Sequence, residues 1–306
     1  HDGVTTVDAD AGNDIITIPA AGLEAAPTID GGLGTDTIVL SDATTGLVDA
    51  DFANITVTEL LTLAANTANT VVLGSASKTA GLVSVTASGT GVDTITLSDA
   101  ITTLDVDAGN DIITTTAAIA EAFSTSGLSL DFGAGTDTLT LSDVTTGLAD
   151  ADFANVTATT LTNIALANNT VNTVVLGSAA KTAGIVTVAG GTGADAVTLH
   201  DGVTTYYSKG GADNVTLPLL QINSSLTIDT ETTTTDFDVD FAAFQDIAAA
   251  WLVVALGDLN AANEIHYVSD VIHVYNESKT GGAGITQIAT AGIVAISAGS
   301  TAGEIT

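Results

Sequence analysis

The chain has 306 residues, 36 of them acidic and 4 basic, for a net charge of −32, and it contains neither arginine nor cysteine. That balance excludes a nucleic-acid partner, which would need clustered Lys and Arg to displace counterions from phosphates, and an anionic membrane surface would repel it. A disulfide scaffold and a thiolate zinc site are excluded with the cysteines, and no apolar run is long enough to span a membrane as a helix. Yet 45% of the residues are hydrophobic and the mean hydropathy is +0.46, too apolar for a disordered acidic chain. So much charge resists compaction unless cations neutralise it.

The chain opens on His1-Asp2-Gly3-Val4-Thr5-Thr6, a string that returns at His200-Asp201-Gly202-Val203-Thr204-Thr205 inside a repeat. The start therefore reads as a cut within a longer array. A first turn follows at Gly12-Asn13-Asp14, and a second at Gly31-Gly32-Leu33-Gly34-Thr35-Asp36, which leads into an apolar stretch to Leu40. Asp51-Phe52-Ala53-Asn54 and Thr70-Val71-Val72-Leu73-Gly74-Ser75 complete the first long repeat. About 100 residues later the order is repeated: Gly109-Asn110-Asp111, Gly135-Thr136-Asp137, Asp152-Phe153-Ala154-Asn155 and Thr173-Val174-Val175-Leu176-Gly177-Ser178. A partial third copy ends near Asp213.

Inside the long repeat runs a shorter one. The Asp of a Gly-x-Asp turn stands at Asp14, Asp36, Asp93, Asp111, Asp137, Asp195 and Asp213, and the wide gaps after Asp36 and Asp137 divide into rungs of about 18–20 residues. Asn54 and Asn155 fall at such a step. Between turns the sequence alternates polar and apolar, as in Thr94-Ile95-Thr96-Leu97, Thr103-Leu104-Asp105-Val106 and Leu128-Ser129-Leu130-Asp131-Phe132. Alternation, β-branched residues and scarce proline predict strands throughout. The expected fold is all-β, a parallel β-roll or β-solenoid over residues 1–228. Residues 229–306 are expected to form a β-rich capping or assembly region, because an open end needs cover. In that region Phe241–Leu259 could hold a short helix around Trp251. His266 and His273 lie on an expected hairpin, as strand residues and not zinc ligands, and two short strands follow it.

The turns carry the chemistry. Gly31–Val39 and Gly190–Thr198 fit the nonapeptide G-G-x-G-x-D-x-U-x in full, and the turns at Asp93 and Asp137 lose only the first Gly. These motifs resemble the calcium-binding repeats of the RTX family, and the resemblance covers the chain to about residue 216. It implies a parallel β-roll whose neighbouring turns share calcium ions, export by type I secretion, and folding outside the cell. The residues on which it places Ca2+ are Asp14, Asp36, Asp93, Asp111, Asp137, Asp195 and Asp213. Asp10, Asp30, Asp107 and Asp131 lie just before the turn glycines and add charge. Gly12, Gly32, Gly34, Gly89, Gly91, Gly109, Gly133, Gly135, Gly191, Gly193 and Gly211 are the glycines expected to let the turns aim carbonyl oxygens at an ion. Asp93 with Asp111, and Asp195 with Asp213, have the spacing of one rung. The nonapeptides are interrupted, so roughly two to five separate sites are expected, not a continuous row. Lys209 beside Asp213 weakens the last.

No H-E-x-x-H or G-x-S-x-G is present and the Arg used by polysaccharide-cleaving β-helices is missing, so no catalytic residue and no enzyme is expected. The resemblance implies an extracellular structural protein of the bacterial surface-layer and large-adhesin kind: a subunit that self-associates into a layer, sheath or filament. Cell-surface polysaccharide is a second class of partner. The alternative is the spacer segment of an adhesin, and ice binding through Thr rows such as Thr94-x-Thr96 is a third reading.

Overall fold

The computed structural model describes residues 5–217 apart from 126–127, 158–159 and 212, and, further along, the backbone of seven strands between Leu226 and Ala298. The protein is strand-rich, its sheets are almost wholly parallel, and its helices are few and short. The chain divides into two units, residues 1–140 with 155–162, and residues 141–154 with 163–306.

In the first unit one parallel ladder runs through Ile15–Ile18, Thr37–Leu40, Leu60–Thr62, Ser84–Thr86, Thr103–Asp105 and Ser129–Asp131. A second runs through Thr70–Val72, Thr94–Thr96 and Ile112–Thr115, and a third through Thr6–Asp8, Thr28–Asp30 and Ile55–Thr56. From Ser84 onward successive strands alternate between the first two ladders, so each strand pairs with the second strand along the chain. Parallel strands demand such a crossover, and here each crossover is itself a strand flanked by tight turns. The register stacks like on like. Ile38, Leu61, Val85, Leu104 and Leu130 form one buried column, and Val71, Ile95 and Ile113 another. Each buried aliphatic contributes on the order of 1.5–3 kcal/mol. Small β-branched side chains therefore suffice for a thin core.

The second unit has the same grammar. Asn163–Ala165, Thr187–Ala189, Thr205–Tyr207, Leu226–Asp229 and Leu252–Leu256 pair in parallel, as do Thr173–Val175, Ala196–Thr198, Asn214–Leu217, Asp238–Phe241 and Glu264–Tyr267. The parallel ladders thus continue past residue 229. Leu252–Leu256 is a strand, so the helix expected around Trp251 does not form over these residues; Trp251 itself lies outside the described ones. Glu264–Tyr267 and Ile272–Tyr275 are antiparallel, as expected for the hairpin of His266 and His273. The two short strands after it lie at Gln287–Ile288 and Ala295–Ala298.

The strand reading of residues 1–228 includes no helix, yet four α-helical turns occur there among the described residues. Ser75–Ala80 and Ser178–Ala183 are equivalent, each stopped by a left-handed glycine, Gly81 at φ 103° and Gly184 at φ 108°. Their first amides are capped from another part of the chain. Gly74 N and Ser77 N donate to Asp49 Oδ1 at 2.7 and 2.9 Å, and Ala76 N donates to Oδ2 at 2.9 Å. Asp150 accepts from Gly177, Ala179 and Ala180 in the same way. Asn54 and Asn155 belong to this architecture and not to the turn series. Asn54 Nδ2 donates to the Ala26 carbonyl, and Asn155 Nδ2 to those of Phe123 and Thr125.

Candidate metal centre

The seven turn aspartates stack in columns in which a carboxylate on one turn accepts the backbone N–H of the turn before it. In the first unit Asp14 N donates to Asp36 Oδ1 at 2.8 Å, and Asp36 N to Glu59 Oε2 at 2.8 Å. A second column runs Asn69, Asp93, Asp111, Asp137: Asn69 N donates to Asp93 Oδ1 at 2.8 Å, Asp93 N to Asp111 Oδ1 at 2.7 Å, and Asp111 N to Asp137 Oδ1 at 2.8 Å. In the second unit Asn172 N donates to Asp195 Oδ1, and Asp195 N to Asp213 Oδ1, both at 2.8 Å. The rung spacing read from Asp93 to Asp111 and from Asp195 to Asp213 is therefore a real step between neighbouring turns. Glu59 extends the first column beyond Asp36, and Asn69 and Asn172 precede Asp93 and Asp195 in theirs; the Gly-x-Asp pattern misses all three. The signal lay in Thr-Ala-Asn69-Thr-Val-Val and Thr-Val-Asn172-Thr-Val-Val, which follow Gly-x-Asp-Thr-Ile-Val with Thr in place of Gly, Asn in place of Asp and Val in place of Ile.

Glycine makes the stacking possible. At Gly32 (φ 89°) and Gly133 (φ 74°) the backbone is left-handed, and a Cβ would overlap the carbonyl oxygens of Asp10 and Asp107 on the turn before. Gly12, Gly34, Gly89, Gly135 and Gly211 also take positive φ, whereas Gly91, Gly109, Gly191 and Gly193 do not. Those four are needed for close approach instead: a Cβ would meet the carbonyl oxygens of Thr67, Gly91, Ala167 and Thr170. The turns thus pack backbone to backbone with their carbonyl oxygens in file.

The second carboxylate oxygens separate the columns into two kinds. Oδ2 of Asp14, Asp36, Asp111 and Asp137 is buried without a hydrogen-bond partner. Three of these residues, Asp36, Asp111 and Asp137, are 0% exposed. The four form two neighbouring pairs, Asp14 with Asp36 and Asp111 with Asp137, in equivalent places of the long repeat. Elsewhere the charge is met from within. Asn69 Nδ2 adds a second donor to Asp93 Oδ1 at 2.8 Å, and Asn172 Nδ2 does the same for Asp195. Asp195 Oδ2 accepts from Gly191 N at 2.7 Å, and Asp213 Oδ2 from the Tyr206 hydroxyl at 3.1 Å.

The acids before the glycines lie outside the columns. Asp8 and Asp30 are register partners, as are Asp105 and Asp131, so like charges stack on adjacent strands. Asp10 and Asp107 sit one turn position further in left-handed backbone, at φ 64° and 57°. Asp30 Oδ1 accepts from Gly32 N at 3.2 Å and Asp131 Oδ1 from Gly133 N at 2.9 Å, so these side chains also shape the turn. Asp8 and Asp105, absent from the Gly-x-Asp reading, complete each exposed acidic edge.

Electrostatics follow the burial. Burial pushes Asp93, Asp137 and Asp195 above the ordinary carboxylate range, against the opposing hydrogen bonds from Asn69, Asp111 and Asn172. Asp111 is raised to about 6 by burial, with the charges of Asp93 and Asp137 adding to it. Asp213 is raised to about 7, again chiefly by burial and then by the charge of Asp195.

An oxygen-only, acidic, partly unpartnered donor set suits a hard cation such as Ca2+, which takes about six to eight oxygens. Among the described residues no three His, Cys, Asp or Glu side chains converge as a metal-binding group. Each pair would thus supply two carboxylates, with turn carbonyls or water completing the shell. Among the described residues no helix is long and apolar enough to cross a membrane. No protein-family model, curated protein or solved structure matches the chain.

Proposed function

We propose that this chain is a stretch of extracellular β-solenoid whose turn columns are clamped by calcium at the Asp14/Asp36 and Asp111/Asp137 pairs, and that it serves as a structural unit of a bacterial surface layer, sheath or filament. The observation that carries this reading is the set of four buried carboxylate oxygens with no partner, stacked on turns that repeat every long period. A buried polar group left unpaired costs about 1–3 kcal/mol, and a charged one more, so a bound cation would relieve each of these costs. The alternating parallel ladders are the winding expected of a solenoid, and the net charge of −32 gives a chain that repels itself until cations arrive. Bound calcium would neutralise the paired carboxylates and tie consecutive turns together.

Two measurements on the same sample test it. Circular dichroism during calcium titration should show a gain in β-structure or in melting temperature that EGTA reverses. Electron microscopy of the calcium-loaded protein should show regular arrays. A fold and assembly state indifferent to EGTA would overturn the reading. A calcium-dependent fold that stays monomeric would favour an adhesin spacer over a lattice subunit.

A further inference from the structure

The turn that begins at Asp105 has a third-copy counterpart in the second unit. Thr103-Leu104-Asp105-Val106-Asp107-Ala108-Gly109-Asn110-Asp111 aligns with Thr205-Tyr206-Tyr207-Ser208-Lys209-Gly210-Gly211-Ala212-Asp213. The alignment holds in space as well as in sequence. Leu104 and Tyr206 are the buried central residues of three-residue strands. Asp107 and Lys209 both stand at φ 57°. Asp111 Oδ1 accepts from Asp93 N at 2.7 Å, and Asp213 Oδ1 from Asp195 N at 2.8 Å.

The turn aspartate itself is kept, but around it the third copy differs in one direction. The two exposed carboxylates, Asp105 and Asp107, are exchanged for Tyr207 and Lys209. The buried Leu104 is exchanged for Tyr206, whose hydroxyl donates to Asp213 Oδ2 at 3.1 Å, the atom whose equivalent on Asp111 is buried and unpartnered. On the turn before, Asp195 Oδ2 is taken by Gly191 N. We propose that this third turn layer is a cation-independent version of the other two, in which the Tyr206 hydroxyl meets the carboxylate oxygen that a divalent cation coordinates elsewhere. Loss of the exposed acids then removes the attraction for an ion that is no longer needed. Calcium therefore binds the first unit at two places and leaves the Asp213 turn untouched. This inference rests on the calcium reading above.

Equilibrium dialysis of the full chain against calcium tests it, comparing the wild type with the graft Tyr206→Leu, Tyr207→Asp, Lys209→Asp. The wild type should bind two ions and the graft three. Two ions in both, with circular dichroism unchanged, overturns this inference and leaves the calcium reading standing. No binding to the wild type removes the calcium reading itself. A third wild-type ion that disappears in Asp213→Asn also overturns the inference. Hydrogen exchange on the wild type gives a readout that no folding failure of the graft can obscure. EGTA should speed exchange at Ile112–Thr115 at least tenfold and leave Asn214–Leu217 within twofold. Equal acceleration of both strands overturns it.

Discussion

Two kinds of turn occupy the same columns, and the difference between them is one hydrogen-bond donor. Where Asn69 heads the column, Asp93 Oδ1 receives two N–H groups, from the Asn69 backbone and side chain. On the next two turns, at Asp111 and Asp137, one oxygen of each carboxylate receives a backbone N–H and the other receives nothing. The backbone, the glycines and the stacking are alike, so fold alone does not decide whether a turn needs an ion. The balance of donors and charges on the column does. Neutral Asn and a tyrosine hydroxyl make a turn self-sufficient, and a run of Asp makes it dependent.

The most direct way to break this comparison is to turn the self-sufficient layer into a dependent one. Asn69→Asp keeps the acceptor for Thr44 N but removes the side-chain N–H donated to Asp93 and to the carbonyls of Ala64 and Thr67. It also places a like charge against Asp93. We expect a loss of roughly 3 kcal/mol or more in the metal-free protein, in line with other uncompensated buried charges. Calcium should recover part of it. Urea unfolding with and without calcium measures both, and a loss below about 1 kcal/mol would show that the column tolerates charge without help.

Proton binding probes two of the columns with the next largest effect. The folded-state values of Asp111 and Asp213, about 6 and about 7, lie above the unfolded 3.8. Between those limits the native state holds more protons than the unfolded one. The contribution is complete below about pH 4, falls as pH rises, and is gone above pH 7, a change on the order of a few kcal/mol. In EGTA the melting temperature should therefore be higher at pH 5 than at pH 8. Saturating calcium should flatten the part due to Asp111 and leave the part due to Asp213. A metal-free protein that gains stability from pH 5 to pH 8 would contradict the burial of these carboxylates. Asp111→Asn sharpens the point on a smaller scale. It keeps the acceptor for Asp93 N while deleting the charge, and should stabilise the metal-free protein by about 1–2 kcal/mol and lower the calcium response.

The ladders were legible because their causes are local. A glycine turn followed by alternating Thr and Val or Ile writes a strand, and the 18-residue step from Asp93 to Asp111 writes a parallel neighbour. Which aspartate is satisfied was not legible, because the deciding partner lies far off in sequence: Asn69 is 24 residues before Asp93, and Asn172 is 23 before Asp195. Tyr206 reads as one more apolar strand residue until the turn that follows it brings Asp213, seven residues on, to its hydroxyl. The Ser75–Ala80 helix was hidden for a similar reason. Its sequence is a weak, short helix former, and its N-terminal amides are met by a side chain that arrives from 25 to 28 residues earlier.

That remote cap gives the smallest prediction and the control for the rest. Asp49 lies off the turn columns, and its carboxylate accepts three backbone N–H groups. Burial would raise its pKa, but the bonds from Ser77, Ala76 and Gly74 outweigh that and hold it below the usual value. Its contribution is therefore present above the unfolded pKa of 3.8 and lost as pH falls below it. Asp49→Ala should cost about 1–2 kcal/mol, since Ser77 Oγ remains as an acceptor for Gly74 N at 2.9 Å and takes up part of the loss. The loss should be the same in calcium and in EGTA, because an ion held by the turn columns has no contact with the helix cap. A loss at Asp49 that calcium erases would mean that the cap and the columns are coupled, and that the dependence on the ion extends to the whole long repeat.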